Sequence, residues 1–353
     1  MDGNNEFLSV STTDNIDEAE LRRWFDTFVT VGEKIQKNVL YQHNPEAAYA
    51  EDPQIHLEAT RQVVNHGQGL FSFQGEFVEL IQAFDKLLVD IAIKFGAQEQ
   101  DHPSVWPVDL YHKIDYFGEY PHHAMLMTSV KDDYQIRTEF AAKYSKKNSF
   151  DSVALSEHEL ENIRFGAPNA CCDCCYYSLS DTQMDSDKMY TTRNKVVRNE
   201  NSNRSGLDRL RSFTQRDIVE IGTAEHVKQK REQVIQAVIE LLERFELAAR
   251  LETAHDPFFG NDTAMKNVFQ YISNAKLEIL ARLNFNQSYI AVGSINWHMD
   301  FFGKAFNFKD IEGNTAHSGC LGFGFERFIY ALYCQFGIDT KKWPLGVRES
   351  LSV

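Results

Sequence analysis

The chain has 353 residues, of which 43% are hydrophobic, and a formal net charge of -15. That length supports one large catalytic core with a small appendage, and the acidic balance excludes a general attraction to nucleic acid, since phosphate binding needs a basic surface. No stretch reaches the roughly eighteen apolar residues of a membrane span, and the polar start of the chain is unlike a signal peptide. We therefore expect a cytoplasmic protein with no membrane association.

The first part of the chain has helical character. Residues 16–41 and 45–65 show helix-forming patterns but share no periodicity with the segments that follow. We therefore predict an amino-terminal helical extension over residues 1–65 and a catalytic domain over residues 66–353.

Three later segments carry the apolar spacing of buried helices. In residues 77–95 apolar side chains recur every three or four positions, and the same pattern occurs in residues 225–251 and 325–336. Gly337 follows the last of these as a stop signal. Each segment predicts a helix with one face in the core.

Short β-prone runs separate these helices. They are residues 195–197, 218–221, 289–292 and 305–308. Strands mixed with helices, without a short internal repeat, predict an α+β fold in which helices pack against an antiparallel sheet.

The cysteines are unevenly distributed. Four of the six lie in the run Cys171-Cys172-Asp173-Cys174-Cys175, which favours thiols and metal binding over a disulfide framework and indicates a reducing compartment. Two alternatives are half of a zinc knuckle, for which no second Cys-x-x-Cys pair is present, and plain buried thiols.

A basic hairpin is predicted around residues 195–221. The turn-rich residues 199–206 separate two β-prone runs, so Arg198 would lie at a strand end and Phe213 on the returning strand. Such an arginine can bind a phosphate through two hydrogen bonds, and the phenyl ring offers a flat face to a base. The alternative is a solvated basic surface.

A glycine-rich segment, residues 316–327, leads into the last helix and ends at Arg327. Glycines allow the backbone to approach a ligand closely, and a guanidinium group suits phosphate oxygens or a purine face. The alternative is a tight turn before a core helix, since paired glycines are a weak signal.

Together, the hairpin and the glycine-rich segment resemble motifs 2 and 3 of the class II aminoacyl-tRNA synthetase superfamily. Within it, the chain is similar to the amino acid:[carrier protein] ligases, which are truncated relatives of the zinc-containing, methanogen-type seryl-tRNA synthetases. The segments that carry this narrower resemblance are residues 213–223, 255–260, 296–303 and 320–344. The resemblance extends from about residue 67 to residue 344 and implies a class II synthetase-like sheet flanked by helices.

The resemblance implies an ATP site. Arg198 would hold the α-phosphate, Phe213 would lie against the adenine, and Arg327 would close over the nucleotide from the opposite side. Glu200 and Glu326 match acidic positions of the same two motifs. A magnesium ion accompanies ATP, with candidate ligands Glu278, Asp300 and Glu326.

The resemblance also implies a zinc ion held by Cys, Glu and Cys, with an open position for the amino group of the substrate. These ligands fall on Cys175, Asp217 and Cys320, with Cys174 in reserve for the first. Asp217 departs from the family pattern because its side chain is one methylene shorter than that of glutamate. The substrate pocket would include Asn296, Trp297 and His298.

The activity implied is the formation of an aminoacyl adenylate from a small amino acid, followed by transfer to the phosphopantetheine thiol of a carrier protein without a role for tRNA. The helix of residues 77–95 would lie at a homodimer interface, although an ordinary helix on a sheet has the same pattern. Two alternatives stay open. One is an adenylate-forming ligase for a small molecule or peptide, and the other is a catalytically silent paralogue that acts as a binding or regulatory protein.

Overall fold

The computed structural model describes residues 37–46, 49–145, 155–199, 206–259 and 263–353. Its strands are β1 Val39–His43, β2 Val63–Gly67, β3 Leu70–Phe73, β4 Gln98–Gln100, β5 Trp106–Pro107, β6 Leu126–Met127, β7 Phe165–Gly166, β8 Lys188–Val197, β9 Ser212–Gly222, β10 Ala249–Thr253, β11 Lys276–Leu283, β12 Ser288–Met299 and β13 His317–Gly324.

The helices are α1 Pro53–Ala59, α2 Glu76–Lys94, α3 Val108–Lys113, α4 Tyr116–Glu119, α5 Tyr134–Lys143, α6 Asp173–Tyr177, α7 Ala224–Arg244, α8 Thr263–Ile272, α9 Phe301–Ala305, α10 Phe325–Phe336 and α11 Leu345–Leu351, with 3-10 turns at Pro121–His123 and Thr340–Lys342. None of the helices in the described part of the chain is long and apolar enough to cross a membrane.

Eight strands form the main sheet, in the order β1-β10-β11-β12-β13-β9-β8-β4. Neighbouring strands are antiparallel except at one edge, where β4 runs parallel to β8. Two small sheets, β2-β3 and β5-β7-β6, lie outside it. The predicted α+β fold, an antiparallel sheet flanked by helices, is confirmed.

One face of the sheet is covered by α2, α7 and α10, which were all predicted from their apolar spacing. Phe84 of α2 stacks on Phe328 of α10 with ring centroids 4.0 Å apart, and both side chains are fully buried against strand residues such as Leu321. Because this face forms the hydrophobic core, the opposite face is left to line a cleft.

Residues 37–65 differ from the predicted helical extension. Val39–His43 is a strand that pairs with β10 at the edge of the main sheet, and Val63–Gly67 pairs with β3. Among the residues of this segment that the structure describes, only Pro53–Ala59 is helical, and it begins at the Asp52 cap. Most of the predicted 16–41 helix lies outside the described residues, and the boundary at residue 65 stays a prediction.

Two other element predictions were wrong. The helix predicted over residues 225–251 ends at Arg244, because Glu246 adopts a positive φ of 51° and the chain turns into β10. The strand predicted over residues 305–308 is absent, since Ala305 ends α9 and Asn307 has a φ of 52°. In both places a left-handed residue redirects the chain.

Candidate active site

A cleft of about 990 Å³ lies over the exposed face of the main sheet. Its floor carries side chains that share one face of the strands: Gln215, Lys276, Glu278, Ser294, Asn296 and Cys320. We call the part around Arg198, Phe213 and Arg327 the arginine end, and the part around Cys172, Asp173, His298 and Cys320 the cysteine end.

At the arginine end, two guanidinium groups meet one aromatic ring. The Cζ atoms of Arg198 and Arg327 lie 5.5 Å and 5.9 Å from the ring centroid of Phe213. Backbone carbonyls orient both groups, since Arg198 Nε donates to Asn169 O at 2.9 Å and Arg327 Nη1 donates to Ala291 O at 3.3 Å. The tertiary structure thus brings together three residues from two distant segments, and the site combines fixed positive charge with a flat apolar surface.

Glycine is required on the floor between the two ends. A Cβ atom on Gly322 would lie 2.5 Å from Asp217 Oδ1 and 3.0 Å from Gln215 Nε2. A larger residue would therefore displace the side chains that support the cysteine end, which explains one glycine of the segment leading to Arg327.

Glu326 lies beneath the arginine end and does not line the cleft. Its carboxylate accepts hydrogen bonds from the Thr214 backbone at 2.8 Å and from the Thr214 hydroxyl at 2.8 Å, and it pairs with Lys195 at 3.0 Å. The side chain is fully buried. It therefore holds the strand that carries Phe213, whereas direct contact with ATP stays a prediction. Glu200 lies outside the described residues.

At the cysteine end, Cys172 faces Cys320. A hydrogen bond to Cys320, together with burial, raises the pKa of the Cys172 thiol well above its usual value. The predicted ligand Cys175 instead points away from the cleft, with its Sγ 3.5 Å from His102 Nε2. Cys174 packs in the apolar cluster below. Of the four clustered cysteines, Cys172 alone belongs to the cleft lining.

Asp217 supports the cysteine end from behind. Its Oδ2 accepts a hydrogen bond from the Cys172 backbone at 2.7 Å, and its Oδ1 accepts one from Gln215 Nε2 at 2.7 Å. The side chain is fully buried, and burial raises its pKa despite these bonds. Although its side chain is one methylene shorter than that of glutamate, Asp217 thus reaches Cys172 by binding the backbone N–H of that residue.

Asn296, Trp297 and His298 all line the cleft. Asn296 Nδ2 lies 3.6 Å from Cys320 Sγ, and His298 Nε2 lies 3.8 Å from the same sulfur. A β-bulge between Trp297 and Met299 changes the register at His298. Burial lowers the pKa of His298 to about 4, although Asp256 acts in the opposite direction.

Two further features of the cleft were not expected from the sequence. Asp256 forms an ion pair with Lys276 at 2.5 Å and accepts a hydrogen bond from Gln270 at 2.8 Å. Burial alone would raise the pKa of Asp256, but the pKa is lowered because Lys276 stabilises the carboxylate. Asp173, beside Cys172, has a pKa of about 7, raised by burial and by the charge of Asp217. Asp256 lies in residues 255–260, one of the segments that carry the family resemblance. Nothing in the cysteine run marked Asp173 as a functional residue.

The donor chemistry at the cysteine end suits zinc. Two thiols in contact, with a carboxylate bound to the backbone of one of them, are ligand types that zinc takes, and a bound cation would favour their ionised forms. Among the described residues, however, no group of three His, Cys, Asp or Glu side chains is already assembled around one point. For magnesium, Glu278 lines the cleft and lies 3.7 Å from Lys276, whereas Asp300 is outside the cleft lining and pairs with Lys304 at 2.7 Å.

Comparison with known proteins identifies the domain that carries this cleft. Residues 170–336 match the family model for the tRNA synthetase class II core domain (G, H, P, S and T). Residues 170–336 correspond to a class II tRNA synthetase core. The matched residues include both ends of the cleft.

Two kinds of curated relatives match. A type-2 serine–tRNA ligase of Methanococcus aeolicus is 26% identical over 86% of this chain and 60% of its own length. Amino acid–[acyl-carrier-protein] ligase 2 of Bradyrhizobium diazoefficiens is 37% identical over 42% of this chain and 44% of its own length. The chain thus spans about 60% of the first relative, and its match spans less than half of the second.

Solved structures show the same fold. The seryl-tRNA synthetase of M. kandleri, determined with tRNASec of A. aeolicus, superposes with a TM-score of 0.78 at 21% identity, over 96% of this chain and 70% of the other. The seryl-tRNA synthetase of Pyrococcus horikoshii, determined with ATP, gives a TM-score of 0.60 at 13% identity, over 95% of this chain and 68% of the other.

Proposed function

We propose that this protein is an ATP-dependent amino acid ligase that forms an aminoacyl adenylate. The observation that carries the proposal is that Arg198 and Arg327, from two distant segments of the chain, both lie beside the Phe213 ring. All three residues belong to a cleft of a class II synthetase core. Two permanent positive charges beside an aromatic face suit a nucleotide polyphosphate and its base.

In the reaction, a carboxylate oxygen of the amino acid forms a bond to the α-phosphorus of ATP. The bond from that phosphorus to the bridging oxygen breaks, and pyrophosphate leaves with the electron pair. Arg198 and Arg327 stabilise the charge that develops on the phosphate oxygens. No nucleophilic side chain is needed, because the substrates react directly once both are positioned.

We propose that the metal at the cysteine end is held by Cys172, Asp217 and Cys320, with Cys172 in place of the expected Cys175. Support comes from the contact between the two thiols and from the hydrogen bond that joins Asp217 to Cys172. A bound zinc ion would supply a Lewis acid for the amino group of the substrate. Glu278 is our candidate ligand for the magnesium that accompanies ATP, since it lines the cleft.

The acceptor we propose is the phosphopantetheine thiol of a carrier protein. The sulfur attacks the acyl carbon, AMP leaves, and the thiol proton passes to solvent. Support comes from the carrier-protein ligases of Bradyrhizobium, which share 36–37% identity with this chain over 42% of its length. The serine–tRNA ligases make tRNA the competing acceptor. A small amino acid, a homodimer and a cytoplasmic location stay predictions of the family resemblance.

Pyrophosphate exchange tests the first half of this proposal. Labelled pyrophosphate should enter ATP in the presence of one or a few small amino acids, and a zinc chelator should reduce the exchange. Folded, metal-replete protein that shows no exchange with any common amino acid would contradict an adenylating function and favour a silent paralogue.

Transfer assays decide the acceptor. The enzyme is incubated with ATP, the activated amino acid, and either a phosphopantetheinylated carrier protein or bulk tRNA. We expect a thioester on the carrier, seen by intact mass, and no labelled tRNA. Labelled tRNA without carrier loading would reverse the assignment.

A further inference from the structure

Asp173 is a buried carboxylic acid on the floor of the cleft that the proposed reaction has not used. Its side chain is 3% exposed and lines the cysteine end. Its Oδ1 accepts a long hydrogen bond from the Cys172 thiol, with the two atoms 3.7 Å apart. Burial raises the pKa of Asp173, and hydrogen bonds from Cys172 and Asn169 offset this only in part. Its Oδ2 is buried and has no hydrogen-bond partner among the residues that the structure describes.

Glu119, which also lines the cleft, likewise has one buried oxygen without a partner among the described residues, but its other oxygen pairs with Lys266. Three other acidic side chains near the cleft have two partners each. Asp217 accepts from Cys172 and Gln215, and Asp256 binds Lys276 and Gln270. Glu326 binds Thr214 and Lys195. Because a buried carboxylic acid without hydrogen bonds costs free energy, an unfilled acceptor at the floor of a binding cleft indicates a donor on the ligand.

The chemistry of the substrates limits what that donor is. The phosphates of ATP are anionic and carry acceptors, so they do not suit a carboxylate. The carboxylate of the amino acid is excluded for the same reason. The ribose hydroxyls and the adenine amino group of ATP are donors, but the proposed function puts the nucleotide at the arginine end. The α-amino group of the amino acid is the donor that the proposed function puts at the cysteine end, where Asp173 lies beside Cys172.

We infer that Asp173 accepts a hydrogen bond from the α-amino group of the amino acid and so contributes to the binding of that substrate. The inference rests on the proposed function. It adds a recognition residue outside the metal ligands, and it assigns to the cysteine run a second role besides metal binding.

The test is the isosteric variant Asp173→Asn, which replaces one acceptor oxygen by a donor. In pyrophosphate exchange, we expect the KM for the amino acid to rise about 10- to 100-fold, the range for a lost hydrogen bond to a charged group. The KM for ATP and the zinc content by elemental analysis should stay at the wild-type values. A general structural defect would change the KM for ATP as well as the KM for the amino acid.

Glu220→Gln is the matched control. Glu220 is also fully buried with two unpartnered carboxyl oxygens among the described residues. Its strand position, three residues from Asp217, puts it on the helix-covered face of the sheet, away from the cleft. We expect this variant to leave both KM values unchanged.

Three outcomes would overturn the inference. They are an unchanged KM for the amino acid in Asp173→Asn, an equal rise of both KM values, and loss of zinc, which would make Asp173 a metal ligand. If the asparagine variant does not fold, Asp173→Ser removes the carboxylate without adding an amide and allows the same comparison. Wild-type exchange in the same assay tests the proposed function separately, because its failure would appear before any variant is compared.

Discussion

The two ends of the cleft differ in how completely the protein satisfies its own polar groups. At the arginine end, backbone carbonyls orient Arg198 and Arg327, and Glu326 is saturated with donors. At the cysteine end, the thiols are buried with raised pKa values and Asp173 has an unpartnered oxygen.

This difference indicates which ligand groups each end of the cleft is suited to bind. The arginine end is organised before ATP arrives, so its contribution is positioning and fixed charge. The cysteine end contains groups whose burial is unfavourable without a cation or a hydrogen-bond donor. Variants at the arginine end should therefore change nucleotide turnover, and variants at the cysteine end should change metal content or recognition of the amino acid.

The largest effect is expected for Arg327→Ala, which should lower pyrophosphate exchange about 100- to 1,000-fold, because one fixed charge on the phosphate oxygens is lost. The control is Arg193→Ala, since that guanidinium lies 5.7 Å from the Phe325 ring but outside the cleft lining. Equal exchange rates in the two variants would remove Arg327 from the site.

The next effect separates the cysteines. Wild-type protein should contain about one equivalent of zinc. Cys172→Ala should lose it, because that thiol faces Cys320, whereas Cys175→Ala should retain it, because that thiol faces His102. Elemental analysis of the purified variants decides the matter, and the reverse result would restore Cys175 as the ligand.

A smaller effect is expected at the aromatic ring. Phe213→Leu keeps an apolar side chain but removes the flat face between the two guanidinium groups. The KM for ATP should rise about 5- to 10-fold, in line with the loss of one stacking or cation–π contact. The KM for the amino acid should not change. Steady-state exchange at varied ATP measures the KM for ATP. A rise confined to the KM for the amino acid would instead place Phe213 in the amino acid pocket.

The smallest effect concerns stability rather than catalysis. Burial raises the pKa of Glu220 to about 8, with Arg231 partly opposing it. Between the unfolded value of 4.5 and about 8, the folded protein retains a proton that the unfolded chain loses, so this group lowers stability as the pH rises.

Glu220→Gln should therefore gain free energy of unfolding relative to wild type between about pH 5 and pH 8, on the order of a few kcal/mol at most. Urea unfolding at several pH values measures the difference. A difference that is constant with pH would show that Glu220 does not retain its proton in the folded protein.

Much of the fold was predictable from local patterns. The apolar spacing in residues 77–95 and 325–336 located α2 and α10, because a helix buries one side at every third or fourth residue. The sequence motifs likewise indicated Arg198, Phe213 and Arg327, and the structure places both guanidinium groups beside the Phe213 ring. The helix predicted over residues 16–41 extends into the first three residues of strand Val39–His43, since an edge strand is specified by its partner β10 and not by its own pattern.

By itself, the sequence determined the class II core, its main helices and the identity of the arginine end. Only the tertiary structure decided which cysteine meets Cys320. Four thiols within five residues are equivalent in composition, and the orientation of the short helix Asp173–Tyr177 against β9 and β13 turns Cys172 toward the cleft and Cys175 toward His102. That orientation comes from long-range packing, and a local pattern does not contain it.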